Sequence, residues 1–289
     1  AASFRMTSIT EKISALPPLR QLINQKDFEA RKSLSQNFIF DLNLTQRIAR
    51  VASPLTGTVF EIGPGPGGLT RALFLEGAEK VIAIEKDIRA IQFLEHIVTA
   101  TNGHLTLLKK DAMREPIWKM GNAPRKIVAN LPYNIATALL LRWLTHANAF
   151  VSLTLMFQKE VAERLVAQPG DKNYGRLSIL TQWLCKAELK FDIPPQAFIP
   201  PPKIISSVVH LIPRPRPLYS CRKEDLETTT TIAFGQRRKM MRASFKKYGG
   251  EKLLLSADID PTARPQELSI EAFTQLANKM RQQSLFAQG

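Results

Sequence analysis

From residue 55 onward, short apolar runs alternate with segments of helical period, and this alternation restricts the fold more than any other feature of the chain. Residues 59–62, 81–84, 105–108, 127–129, 153–157, 189–193 and 208–212 are predicted strands, and 69–76, 88–100 and 137–146 are predicted helices between the early ones. Strand, helix, strand at this spacing builds βαβ units and a parallel sheet covered by helices. The last two runs are joined by the proline-rich stretch 194–202 with no helix. They are expected to pair antiparallel, because a parallel crossover takes a dozen or more residues.

The pattern changes after residue 212. Pro213, Pro215 and Pro217 interleave with Arg214 and Arg216, which reads as a stiff extended linker. Beyond it, 223–234, 238–248 and 269–281 are predicted helices and no strand run occurs. The expected organisation is an N-terminal extension over 1–30, an α/β domain over 31–213 and a small all-helical domain over 218–289. Ala1, Ala2, Ser3, Phe4 and Arg5 precede Met6 and read as residues added ahead of a native start. The stretch after them has no apolar signal-peptide core, and Glu11 argues against an intact mitochondrial presequence. No run of about 18 apolar residues exists, so no membrane span is expected. The two cysteines, Cys185 and Cys221, form no disulfide framework and suit a reducing compartment. The four histidines are scattered, so no metal site is expected. Forty basic against 25 acidic residues give a net charge of +15, which favours a polyanionic partner such as nucleic acid.

Phe60-Glu61-Ile62-Gly63-Pro64-Gly65-Pro66-Gly67-Gly68-Leu69 follows the first long strand and opens a helix. Glycines there let the backbone turn sharply and approach a ligand closely. Glu85, 22 residues after Gly63, ends the second of these strands, where a carboxylate can accept both hydroxyls of a ribose. Such a motif suits NAD and S-adenosylmethionine alike. Pro64 and Pro66 tip the balance towards S-adenosylmethionine, because they remove amide donors that a pyrophosphate needs. Glu61 also puts a carboxylate where a diphosphate would sit, whereas an ammonium and a sulfonium are cationic. Asp111 ends the third strand and could accept an adenine amine, or serve as a helix N-cap before Ala112.

Asn130-Leu131-Pro132-Tyr133 follows the fourth strand, at the carboxyl edge where such sheets bind ligands. An exocyclic aryl amine is a weak nucleophile, and an enzyme helps it by offering acceptors to its hydrogens: the Asn130 side-chain oxygen and the Leu131 carbonyl. Pro132 fixes the turn and donates no amide there. Tyr133 offers a ring on which a base can stack, a contact worth about 1–3 kcal/mol.

Taken together, Ser35-Gln36-Asn37-Phe38-Ile39, Glu61-Ile62-Gly63-Pro64-Gly65, Glu85, Asp111-Ala112, Asn130-Leu131-Pro132-Tyr133, Phe157-Gln158-Lys159-Glu160-Val161-Ala162 and Ala197-Phe198-Ile199-Pro200-Pro201-Pro202-Lys203 resemble the ribosomal RNA adenine N6-dimethyltransferases. Ala233-Phe234-Gly235-Gln236-Arg237-Arg238-Lys239 extends the match into the helical part. The resemblance implies a Rossmann-like class I methyltransferase with a seven-stranded, mostly parallel sheet whose last strand is antiparallel. It implies a site in which Asn37 and Ile39 contact the methionine end of S-adenosyl-L-methionine, Gly63 the central turn, Glu85 the ribose, Asp111 the adenine and Asn130 the reacting edge. Phe198 would sandwich the target adenine opposite Tyr133; read from the sequence alone it is a core aromatic. The implied activity is dimethylation of two adjacent adenosines in a small-subunit rRNA hairpin, by a monomer acting on a pre-ribosomal particle in a bacterial cytoplasm or, alternatively, a mitochondrial matrix. Ser35 stands where bacterial members more often carry glycine, and Ile39 where leucine is usual.

Arg237, Arg238, Lys239, Arg242, Lys246 and Lys247 put six positive charges in 11 residues. As a helix this run would present several of them to RNA phosphates, and Arg31, Lys32, Arg47 and Arg50 could extend the track. Three rival readings remain: methylation of a different base or strand, including large-subunit rRNA; a non-catalytic nucleic-acid-binding factor on a methyltransferase scaffold; and a dinucleotide-dependent oxidoreductase.

Overall fold

All seven apolar runs lie in one sheet. The computed structural model describes residues 8–25 and 36–288. Helices α1 (Ile9–Ser14) and α2 (Leu19–Gln25) come first, then β1 (Phe38–Ile39) and α3 (Leu42–Val51). The alternating part runs β2 (Thr58–Ile62), α4 (Gly68–Leu75), β3 (Lys80–Ile84), α5 (Ile88–Thr101), β4 (Leu105–Leu108), β5 (Arg125–Asn130), α6 (Ala136–Leu144) and β6 (Ser152–Gln158). There follow α7 (Lys159–Val166), α8 (Arg176–Leu184), β7 (Cys185–Ile193), β8 (Phe198–Ile199) and β9 (Ser206–Pro213). The chain ends in α9 (Lys223–Gly235), α10 (Met241–Ser244), α11 (Gly250–Ser256) and α12 (Ile270–Gln282).

The sheet order is β4-β3-β2-β5-β6-β9-β7. The pairs from β4 to β6 are parallel, and β9 runs antiparallel to β6, with Leu153 opposite Leu211 and Gln158 opposite Ser206. Every residue of β2 is buried, as expected of a central parallel strand covered on both faces. From β2 the chain winds outward to β3 and β4, then returns to β5 on the other side. That reversal opens a crevice beyond the carboxyl ends of β2 and β5, the position where open α/β sheets bind ligands.

The chain divides into two compact units, Ala1–Ala162 with Glu188–Pro213, and Glu163–Ala187 with Arg214–Gly289. This departs from the boundaries drawn from the sequence in two ways. The stretch before residue 30 is not a separate extension where it is described: Ile13 joins the core beside α4, and Leu19, Leu22 and Ile23 pack with Ala90 and Phe93 of α5. The helical unit is also not contiguous, because α8 contributes Ile179, Leu180 and Trp183 to its core with Leu226, Phe245 and Phe273. The proline-rich segment after β9 is pinned to α8, not held out as a spacer: Arg214 and Leu218 donate their amides to the Leu184 and Trp183 carbonyls, both at 2.8 Å. The predicted helix 238–248 is broken. Residues 236–239 turn, α10 spans four residues, and a 3-10 turn covers Lys246–Tyr248.

Candidate active site

A cleft of 290 Å³ lies at the carboxyl edge of the sheet, and the residues singled out in the sequence converge on it. Asn37, Ile39, Gly63, Glu85, Asp111, Asn130, Leu131, Pro132 and Tyr133 all line it, together with Glu61, Gln36, Lys86 and Asp87. Phe198 does not. It is 1 % exposed within the core, where β8 pairs with β1 and sets Phe198 opposite Ile39. In this conformation it backs Ile39 and offers no second face to a base, so the sandwich implied by the resemblance is not formed here.

The glycine turn is built around β1. A Cβ on Gly65, where φ is +54°, would fall 2.6 Å from the Phe38 ring, and one on Gly68 would fall 2.4 Å from the Ile39 carbonyl oxygen. The segment before α3 therefore lies directly on the loop, and no side chain larger than hydrogen fits beneath it.

The amide groups of the turn decide which ligand suits it. Gly63 donates to the Ile84 carbonyl at 2.9 Å, Gly67 to the Pro64 carbonyl at 3.0 Å, and Gly65 to Glu85 Oε2 at 2.9 Å. Pro64 and Pro66 have no amide hydrogen. None of residues 63–67 keeps a donor for a phosphate. The acidic lining, in which the carboxyls of Asp87 and Asp111 are held below their usual range, favours a cation instead. The residues present thus fit S-adenosylmethionine and disfavour a dinucleotide.

Glu85 is 6 % exposed, and its other oxygen accepts the Asp87 amide at 2.7 Å. Burial raises its pKa against those amide bonds. Two amides use about half of a carboxylate's roughly four acceptor positions, so lone pairs remain to accept further hydrogen bonds. Asp111 accepts the Met113 amide at 3.0 Å and the Lys86 ammonium at 3.1 Å, and both hold its carboxyl below the usual range. No helix follows it. Residues 112–114 form a turn, so the N-cap reading is replaced by a turn that caps itself.

Asn130 is oriented unambiguously. Its Nδ2 donates to the Asn37 main-chain carbonyl at 3.0 Å, a bond only the amide nitrogen can make. Oδ1 is left as an acceptor beside Pro132 and Tyr133. The Tyr133 hydroxyl bonds Ser206 on β9, and burial raises its pKa. Ser206 carried no sequence signal, being one of two adjacent serines opening an apolar strand. Asp87 was also missed, although an Asp three residues after a strand and directly before Ile88 is an N-cap pattern: it caps α5, pairs with Arg89 at 2.6 Å and accepts Gln36 Nε2 at 2.8 Å.

Residues 27–282 match the family described as Ribosomal RNA adenine dimethylase. The chain belongs to that family. It is 54% identical over 264 residues to the Ribosomal RNA small subunit methyltransferase A of Rhodospirillum rubrum, covering 91% of this chain and 92% of that one. It is 55% identical over 272 residues to the protein of the same name from Paramagnetospirillum magneticum, covering 93% and 97%. Among solved structures it resembles a dimethyladenosine transferase from Plasmodium falciparum, with a TM-score of 0.74, 26% identity and coverage of 86% and 98%. The 23S rRNA methyltransferase ErmE gives a TM-score of 0.66 at 26% identity, covering 85% and 100%.

The basic residues of this dimethylase-family chain are not equivalent. Arg237 donates to the Lys172 carbonyl and lies over the Phe234 ring, and Arg242 pairs with Glu251 at 3.1 Å. Lys247 lies 5.0 Å from the Tyr248 ring. Arg238, Lys239 and Lys246 are exposed and have no partner among the described residues. In the other unit Arg47 stacks on Phe191 at 3.8 Å and Arg50 pairs with Glu76 at 3.1 Å. Arg31, Lys32 and Ser35 lie outside the described residues, as do Ala1–Arg5. Among the described residues no group of three or more His, Cys, Asp or Glu could hold a metal ion, and no helix is long and apolar enough to cross a membrane.

Proposed function

We propose that this protein transfers methyl groups from S-adenosyl-L-methionine to N6 of two adjacent adenosines in a small-subunit rRNA hairpin. The observation that carries the reading is the fixed orientation of Asn130, whose Nδ2 is committed to the Asn37 carbonyl and whose Oδ1 is left as an acceptor, in the same cleft as the Glu85 carboxylate. Bound S-adenosylmethionine supplies an electrophilic methyl group on a positively charged sulfur. Glu85 accepts the ribose hydroxyls, Asp111 the adenine amine, and Asn37 and Ile39 flank the methionine end. The target amine, held by Asn130 Oδ1 and the Leu131 carbonyl, would take the methyl group as the sulfur–methyl bond breaks to leave S-adenosyl-L-homocysteine, and once cationic it would shed a proton to water. Tyr133, anchored by Ser206, supplies the face on which the base stacks. No general base is required.

Small-subunit rRNA is favoured over the large-subunit alternative because relatives at 54% and 55% identity carry the small-subunit name, against 26% for the large-subunit enzyme. The bacterial origin of those relatives supports the further reading that the enzyme acts in a bacterial cytoplasm, as a monomer on a pre-ribosomal particle, with the helical unit meeting the RNA. Incubation with labelled S-adenosylmethionine and under-methylated small subunits, followed by mapping of the modified bases, tests the whole reading. Label on two neighbouring adenosines is expected; label elsewhere, or none, refutes it.

Two consequences are separable. Glu85→Ala should weaken S-adenosylmethionine about tenfold, since unpairing ribose hydroxyls costs about 1–3 kcal/mol, with circular dichroism unchanged. Undiminished affinity in calorimetry would remove Glu85 from the site. Replacing Arg238, Lys239 and Lys246 by Gln should lower the slope of log RNA affinity against log salt by about 0.7 for each phosphate no longer neutralised, and spare cofactor binding. Arg242→Gln, which mainly frees Glu251, should change that slope less. Equal slopes for all variants and wild type would mean that these charges only solvate the surface.

A further inference from the structure

Phe198 and Ser206 bracket seven residues, Ile199 to Ile205, of which three are exposed isoleucines: Ile199 at 39 %, Ile204 at 42 % and Ile205 at 40 %. A single exposed isoleucine is ordinary, but three within one short segment, separated only by prolines and Lys203, make an apolar patch of the kind that marks an interaction site. Both ends of the segment are tied to the lining of the cleft. Ile199 stands opposite Phe38 in the β1–β8 ladder, and Ser206 bonds the Tyr133 hydroxyl. In between, the Ile205 carbonyl accepts the Lys159 amide at 2.9 Å. Three successive prolines have fixed φ angles and few conformations to lose, so the surface is held ready before anything binds. Lys203 is exposed in its middle and has no partner among the described residues.

We propose that the 199–205 segment is a collar for the unpaired bases that flank the target adenosine, with Lys203 meeting a phosphate of the same strand. This rests on the RNA methyltransferase reading given above. Presenting an exocyclic amine to Asn130 requires the target base to leave its stack, and its neighbours then expose a face to water. Isoleucine side chains and proline rings can cover such a face without hydrogen bonds, and so without demanding one base identity. A surface of that kind accepts the flanking base whichever of two adjacent adenosines occupies the cleft. The basic net charge of the chain and the position of Lys203 favour a nucleic-acid strand over a second, equally basic copy of this protein.

The test uses the full chain, under-methylated small subunits and saturating S-adenosylmethionine. The double variant Ile204→Ser with Ile205→Ser should raise KM for the subunits about tenfold while kcat stays within about twofold. Calorimetric affinity for S-adenosylmethionine should be unchanged, and so should the salt slope, because only apolar packing against the bases is removed. Lys203→Gln should instead lower the slope by about 0.7. If the double variant misfolds, Ile204→Ser alone decides, read by the same KM. A 4-thiouridine placed next to the target should cross-link to the peptide containing residues 199–205. Wild-type KM in a folded variant, or cross-links confined to other peptides, overturns the collar. A wild-type dimer that the double variant dissociates also overturns it and assigns the patch to a second copy. If wild type methylates no small subunit yet the double variant still loses filter binding to single-stranded RNA, the collar stands and the substrate reading falls.

Discussion

Replacing Asn130 by Ala is expected to slow methyl transfer by about 10²–10³ and to leave S-adenosylmethionine bound. The amine is nearly neutral in the ground state and becomes cationic as the new N–C bond forms. Acceptors aimed at its hydrogens therefore strengthen along the reaction, and this differential lowers the barrier. The Asn37 carbonyl holds the Asn130 amide in place beforehand, so no reorganisation is needed when charge develops. Asn130→Asp sharpens the test. It keeps an acceptor of the same shape but sets a carboxylate oxygen against the Asn37 carbonyl, which repels it, so this variant should also be slow although nearly isosteric. Single-turnover rates with both substrates saturating isolate the chemical step. An Asn130→Ala rate equal to wild type would mean that the amine is presented elsewhere in the cleft.

The sheet was legible because each buried strand is a β-branched or apolar run bounded by polar residues, and 105–108 coincides with β4 to the residue. The cleft was legible because its residues sit at strand ends, where sequence order and spatial position coincide. What escaped the sequence depends on contacts between distant segments. Only in the fold does Phe38 roof Gly65, Asn37 orient Asn130 and Ser206 anchor Tyr133. The basic run 237–247 misled for a local reason: Gly235 ends α9, and Met241 and Phe245 turn inward, so buried apolar contacts and not helical propensity set the backbone there. Phe198 shows the limit of a motif match. The match names the residue, but the side chain's surroundings in this conformation are those of a core aromatic.

The prolines and the spent amides of the glycine turn explain why an acidic ring can surround it. A loop that cradles phosphate needs free N–H groups, and carboxylates beside such a loop would oppose the anion. Here the Gly65 amide is consumed in holding Glu85, whose other oxygen takes the Asp87 amide, while the Gly63 and Gly67 amides are spent on main-chain carbonyls. The turn is therefore wired to present carboxylates, and that arrangement can be probed by pH.

Glu61 carries the largest expected pH effect. It is 1 % exposed, bonded by Thr70 at 2.5 Å, and its pKa is pushed up to about 8 by burial, with the nearby Glu85 adding to the shift against the Thr70 bond. In the ligand-free protein at neutral pH it is mostly protonated. A carboxyl with a folded-state pKa raised above its unfolded value contributes stability that is complete below the unfolded value of 4.5 and is lost as pH rises through about 8. Raising the pH from 6 to 8 should therefore cost the ligand-free protein about 2–3 kcal/mol, or roughly 5–10 °C in melting temperature. Glu61→Gln, which stays neutral, should lose most of that dependence and be the more stable protein at pH 8. Ligand binding should run the other way. A cation in the cleft favours the ionised carboxylate, so affinity for S-adenosylmethionine should climb as pH approaches 8, and binding below it should release a proton. Calorimetry in two buffers of different ionisation enthalpy counts that proton directly. Wild type and Glu61→Gln melting in parallel from pH 6 to 8, with no proton released on binding, would show that Glu61 is ionised all along and that the acidic ring is offset by a charge elsewhere in the site.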